Sequence, residues 1–232
     1  MSSSSTAAEP QHLDRNRLAL VALLGMVSGL PFLLTGSTLT TRMRVEGVEM
    51  ATIGYFAWAH MPYTFKFLWA PLVDRFQLPW LGRRRGWMLA CQLLLVVGIA
   101  VLGVIDPNSN IKAVFVVAVA VAIFSATLDI VIDAYRTEVL EDHERGPGGS
   151  YFVTGYRAAM VLAGAGVLIL SDSMPWREAY LLMAAAMLLT IAATFVAKPA
   201  PRVEGQPQTF REAVAGPLAD FKSRTSVKIV LV

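Results

Sequence analysis

Charge is scarce in this chain of 232 residues: Asp, Glu, Lys and Arg together make up 16%, where soluble domains carry about 25%. Cysteine is scarcer still. The single Cys91 excludes an internal disulfide framework, and without a Cys/His cluster there is no thiolate zinc site. No G-x-x-x-x-G-K-[ST] run occurs, so a phosphate-binding loop and ATP-driven transport are unsupported. A net charge of +3 is too small to imply nucleic acid by itself. Neither a metal nor a cofactor is expected.

Apolar sequence fills the gap. It makes up 55% of the residues, and the mean hydropathy is +0.54. Leu18–Thr41, Gly86–Ile105 and Ala179–Ala197 carry no charge, and each approaches or exceeds the roughly 20 residues that cross a bilayer as helix. Three more spans emerge once isolated charges are tolerated: Ala51–Val73 with Lys66, Ala113–Ala134 with Asp129 and Asp133, and Ser150–Ser171 with Arg157. The pattern predicts an all-α, polytopic membrane protein with six transmembrane helices, at about 18–41, 51–73, 86–105, 113–134, 150–171 and 177–197. Helices of a soluble α-protein would keep a polar face, which several of these lack. The first span is too long for a signal peptide and five follow it, so it reads as an uncleaved helix.

Topology follows the basic residues. Arg15, Arg17, Arg75, Arg83, Arg84, Arg85, Arg136, Arg145 and Lys198 fall on one side, with Arg202, Arg211, Lys222, Arg224 and Lys228; only Arg42, Arg44, Lys112 and Arg177 fall on the other. The N-terminus is therefore expected inside. Residues 1–12 read as a disordered cytoplasmic tail. Residues 198–226 read as a cytoplasmic linker holding a short amphipathic helix, with Phe210, Val214, Leu218 and Phe221 at helical spacing. A partly ordered loop is the alternative, because Gly216–Pro217 interrupts the pattern. Residues 227–232 read as the start of a seventh, truncated helix.

Between the second and third spans the chain reads FKFLWAPLVDRFQLPWLGRRRGW. Asp74–Arg75 at a helix end, followed by Gly82-Arg83-Arg84-Arg85, resembles the helix 2–3 signature of the major facilitator superfamily, with FQLPWL inserted before Gly82. Asp74 would cap one helix while the arginines grip headgroups and neighbouring helix ends. GLPFLLTGSTL, VEGV, TIG, FKFLWAPLVDR, GRRRGW, DIVIDAYRTEVL, ERG and GYR, in this order, resemble the AmpG-type muropeptide permeases of that superfamily. The resemblance implies the N-terminal six-helix bundle of a bacterial inner-membrane carrier, built from two inverted three-helix repeats. It implies proton-driven import of anhydromuropeptides for peptidoglycan recycling, which influences β-lactamase induction in some bacteria. The implied partners are a sugar-peptide, protons, the lipid bilayer and a C-terminal six-helix half, in a carrier that is monomeric when complete. A major facilitator carrier of another solute and a non-transporting membrane regulator are the alternatives.

At about 1.5 Å per residue, Lys66, Asp129 and Arg157 lie at one depth, roughly 10 Å from the inner boundary, with Asp133 closer to it. Charges so deep normally face a bundle interior and pair. Lys66 and Arg157 are expected to pair with Asp129, the candidate proton carrier, while Asp133 serves the inner gate with Arg75 or Arg136. A purely structural cluster is the competing reading. Gly29–Pro31 is expected to interrupt the first helix beside a cavity, placing Ser28, Gly29, Pro31 and Thr35 on the substrate path, with Tyr63 and Tyr156 there to stack on or hydrogen-bond a sugar ring. His60 is a weaker candidate for titration. Gly-Pro-Gly-Gly at 146–149 is expected to form a loop before the fifth helix. A membrane prenyltransferase would need a second Asp-rich motif facing the first, and the chain has one.

Overall fold

The computed structural model describes residues 13–76, 78 and 81–199, and the described residues contain helices and no strand. The expected tail, most of the linker with its surface helix, and the start of a seventh helix lie outside them. Helix α1 (Arg15–Thr35) begins where the Asp14 carboxylate accepts from the Asn16 and Arg17 N–H groups, satisfying two of the donors that every helix start leaves unpaired. It runs through Pro31 and ends at Gly36; α2 (Ser37–Val45) follows at once. The expected interruption at Gly29–Pro31 is therefore displaced to Gly36.

The second expected span contains no membrane-length helix. It is divided into α3 (Met50–Tyr55), a 3₁₀ turn at Phe56–His60, α4 (Met61–Phe65), a second 3₁₀ turn at Lys66–Leu68, and α5 (Ala70–Arg75). Pro62 and Pro71 occupy the first turns of α4 and α5. Each lacks the N–H that would continue the preceding helix, and its ring clashes with the carbonyl four residues back.

Long helices follow: α6 (Arg83–Val104), α7 (Ile111–Val139), α8 (Arg145–Val161), α9 (Val167–Ser171) and α10 (Trp176–Val196). A π-turn at Leu162–Gly166 joins α8 to α9. Five stretches are long and apolar enough to cross a membrane: Arg15–Val45, Arg83–Val104, Ile111–Val139, Asp142–Ser171 and Trp176–Val196. Their outward residues include Leu189, Ile169 and Val196, all strongly exposed, as a lipid-facing surface requires. The segmented stretch runs alongside α7 through its length. Phe56 meets Phe115 edge to face, Trp69 Nε1 donates to Thr127, and Asp74 is joined through Arg84 to Glu138.

Gly-Pro-Gly-Gly also departs from expectation. It lies in the first turns of α8, not in a loop. Glu141 and Glu144 form a reciprocal capping box just upstream, and Pro147 falls where a helix needs no N–H partner.

Glycines set the tightest packing. A Cβ at Gly25 would stand 2.1 Å from the Phe152 carbonyl oxygen, one at Gly29 2.4 Å from that of Tyr156, and one at Gly155 1.9 Å from that of Ala22. Helices α1 and α8 thus touch backbone to backbone, as small residues allow in lipid. Gly29 serves this contact rather than lining a cavity.

Candidate functional site

The charged side chains sort into two groups, one at the basic end of the bundle and one midway along it. At the basic end Glu138 is the hub: its Oε1 accepts from Arg83 Nη2 at 2.6 Å, and from Arg84 Nε at 3.1 Å and Nη2 at 2.6 Å. Arg84, 5% exposed, also donates to Asp74. Arg85 donates to the Thr194 and Phe195 carbonyls, capping the end of α10. The arginine cluster therefore turns inward: Arg85 does grip a helix end, but Arg83 and Arg84 are held by carboxylates instead of headgroups. Asp74 pairs with Arg84 and, among the described residues, caps no helix end.

Gly82 precedes α6 at φ +84°, a left-handed conformation that glycine adopts freely. Arg75 closes α5, and its side chain is outside the described set. Asp133 pairs with Arg136 one turn on at 3.3 Å, and the Arg136 guanidinium lies 4.6 Å from the Phe152 ring centre. Arg17 extends the network to the α7–α8 connection, reaching Glu141 at 3.0 Å and Glu144 at 2.5 Å.

Midway along the bundle one ion pair forms among the described residues. Lys66 Nζ stands 4.0 Å from Asp129 Oδ2, a loose contact. Arg157 does not join it; the side chain is exposed and makes no ion pair among the described residues. Successive helical residues point about 100° apart, so shared depth did not bring it to the same face as Tyr156.

Around Asp129 lies a set of polar atoms sealed from solvent and without a hydrogen-bond partner: Asp129 Oδ1, Ser28 Oγ, Ser125 Oγ and the Tyr63 hydroxyl. Leaving such a group unsatisfied costs about 1–3 kcal/mol; Glu138 Oε2, Glu46 Oε2 and His143 Nε2 are also without partners, but only around Asp129 are four such atoms gathered among the described residues. Ser28 and Ser125 are fully buried. Thr35 is buried too, but its hydroxyl is occupied by the Pro31 carbonyl at 3.1 Å and that of Phe32 at 3.3 Å. Pro31 is packed in the core of α1.

Aromatic rings flank this set. The Phe32 ring centre lies 5.1 Å from Tyr63, 5.6 Å from His60 and 6.5 Å from Tyr156, and His60 stacks on Tyr63 at 5.9 Å. All four rings are partly exposed. Gly36 lets the His60 ring approach α1, since a Cβ there would stand 3.2 Å from Nε2. Among the described residues no three His, Cys, Asp or Glu side chains gather to hold a metal.

Several residues that matter to this geometry escaped the sequence reading. Glu138 was missed although Arg83 and Arg84, once buried, required a counter-charge. The tight helix pair was announced by the small-xxx-small spacing of Gly25 and Gly29. Arg42 was assigned to the sparsely charged side, yet it is buried, donating to the Leu102 carbonyl at 2.5 Å and the Ile105 carbonyl at 2.9 Å. Nothing in its local sequence signals that.

Residues 21–232 match the model of the Major Facilitator Superfamily. The chain is 43% identical over 216 residues to a protein of Escherichia coli (strain K12) named anhydromuropeptide permease, covering 93% of this chain and 44% of that one. It is 36% identical over 213 residues to an uncharacterized protein of Haemophilus influenzae, covering 91% and 50%. It is 30% identical over 185 residues to a Rickettsia felis protein named putative transporter AmpG 4, covering 78% and 44%. The chain thus spans about half the length, or less, of these relatives. With a family match over nearly its whole length, carried by membrane-length helices, the chain belongs to the Major Facilitator Superfamily.

Proposed function

We propose that this chain is the N-terminal half of a proton-coupled secondary carrier, not an enzyme, that imports anhydromuropeptides across the bacterial inner membrane for peptidoglycan recycling. The observation that carries the reading is the loose Lys66–Asp129 pair beside a sealed set of unpartnered oxygens. A buried carboxylate held at 4.0 Å by one cation can release that cation on taking up a proton, and little else must be rearranged. Similarity to the E. coli anhydromuropeptide permease supports the substrate class. The segmented stretch beside α7 serves as a sixth crossing, and the N-terminus lies in the cytoplasm, on the side that holds most of the arginines. A second six-helix half, for which the relatives' greater length leaves room, closes the substrate path over Ser28, Thr35, Tyr63 and Tyr156, and the complete carrier works as a monomer.

The test is uptake of a labelled anhydromuropeptide by vesicles containing the full-length protein, with and without a proton gradient. Uptake driven by the gradient is expected, and Asp129→Asn should retain substrate binding while losing gradient-driven accumulation. Binding without uptake in the unaltered protein would favour a regulator. Gradient-driven uptake of a different solute would leave the carrier and replace its cargo.

A further inference from the structure

Midway along the bundle two environments meet at one side chain. The Tyr63 ring belongs to the partly exposed aromatic group, lying against Phe32 and stacked with His60. Its hydroxyl belongs to the sealed polar set. The Ser125 and Thr35 hydroxyls are its neighbours and Asp129 is within electrostatic reach, while no partner meets it with the geometry of a full hydrogen bond. Tyr63 follows directly on Pro62, in a segment flanked by 3₁₀ turns on both sides. Such short segments can be rotated at small cost, because few consecutive α-helical hydrogen bonds resist the movement.

We propose that Tyr63 is the positioning residue that couples occupancy of the aromatic group to the protonation of Asp129. The proposal rests on the carrier reading above and adds a link between its two ligands. A sugar ring seated on the exposed aromatic face presses on Tyr63 and turns its phenol. With the hydroxyl donating to Asp129 Oδ1, the carboxylate stays ionised beside Lys66. With the hydroxyl withdrawn towards Ser125, that oxygen loses its donor and takes up a proton delivered as hydronium from the side of higher proton concentration, and Lys66 is freed.

The charged groups that reach Asp129 are Lys66 from the segmented stretch and Asp133 from its own helix. His60 stacks on Tyr63 from the same stretch, and Tyr156 approaches from α8. Helix α1 contributes the Ser28 hydroxyl beside Asp129 and the Thr35 hydroxyl beside Tyr63. Within this set Tyr63 alone has one part on the exposed face and another in the sealed pocket.

Tyr63→Phe separates the two parts, because it keeps the ring and removes the hydroxyl. In vesicles containing the full-length protein, two signals are followed: binding of an anhydromuropeptide, and the proton uptake its addition elicits across a series of pH values. In the variant, proton uptake per molecule of ligand bound should fall at least tenfold and its pH profile should flatten. Tyr63→Ala should lose binding as well. Ser125→Ala, which removes the acceptor of the withdrawn hydroxyl, should weaken the proton signal at unchanged binding, and it supplies the test if Tyr63→Phe does not accumulate. A Tyr63→Phe protein with the ordinary proton signal overturns the proposal. So does one in which binding and proton uptake fall in step, since that is a purely structural role. If the unaltered protein shows no ligand-elicited proton uptake, the reading as a proton-coupled anhydromuropeptide carrier fails, independently of Tyr63.

Discussion

The charges at the basic end and those midway along the bundle are handled in opposite ways. Around Glu138 one carboxylate oxygen takes three guanidinium contacts of 2.6–3.1 Å, and Arg84 is shared with Asp74. Around Asp129 a single ammonium stands at 4.0 Å and four oxygens go without partners. The first arrangement joins the ends of α5 and α6 to that of α7 and leaves little freedom to change charge. The second is held in place by the helices around it and is free to change its partner. Breaking a well-paired buried charge exposes its partner to the full desolvation penalty, whereas a loosely paired one has less to lose.

The largest expected effect follows from removing the hub. Glu138→Gln should lower stability by about 3–5 kcal/mol, because the half-buried Arg83 loses its carboxylate and the buried Arg84 keeps only Asp74; thermal unfolding in detergent micelles reads this directly. Gly155→Ala comes next. Its Cβ would stand 1.9 Å from a backbone oxygen of α1, so the helix pair must separate, at about 1–3 kcal/mol, read in the same assay. Asp129→Asn should cost less than about 1 kcal/mol, since it removes a charge that was poorly paired to begin with. A loss as large as that at Glu138 would erase the contrast between the two regions. Smallest of all, Arg157→Gln should stay within about 0.5 kcal/mol, as befits an exposed side chain without a partner.

How much of this was legible depended on the kind of constraint. The membrane helices could be read because lipid supplies no hydrogen bonds, so a lipid-facing crossing is most simply a long apolar helix. The Lys66–Asp129 pair could be read because depth follows from counting residues inward from a boundary. Arg157 could not be placed in this way. Depth is linear in sequence, but facing depends on the rotation of each helix, which its neighbours set. Likewise the break near Pro31 was expected too early, and the segmentation at Pro62 and Pro71 was not foreseen, since hydropathy ignores backbone donors.

By itself the sequence determined the class of the protein, its apolar spans, their signature loop and the presence of carboxylates and cations at a depth where they must be accounted for. Only the tertiary structure decided which charges meet. It placed Glu138 among the arginines, turned Arg157 away, buried Arg42 against the end of α6 and left Asp129 beside the Tyr63 hydroxyl. The reason is physical: solvation by lipid acts on each residue alone and is written locally, whereas pairing requires two helices to fix their distance and rotation. Here the close contact of Gly25, Gly29 and Gly155 fixes one such pair.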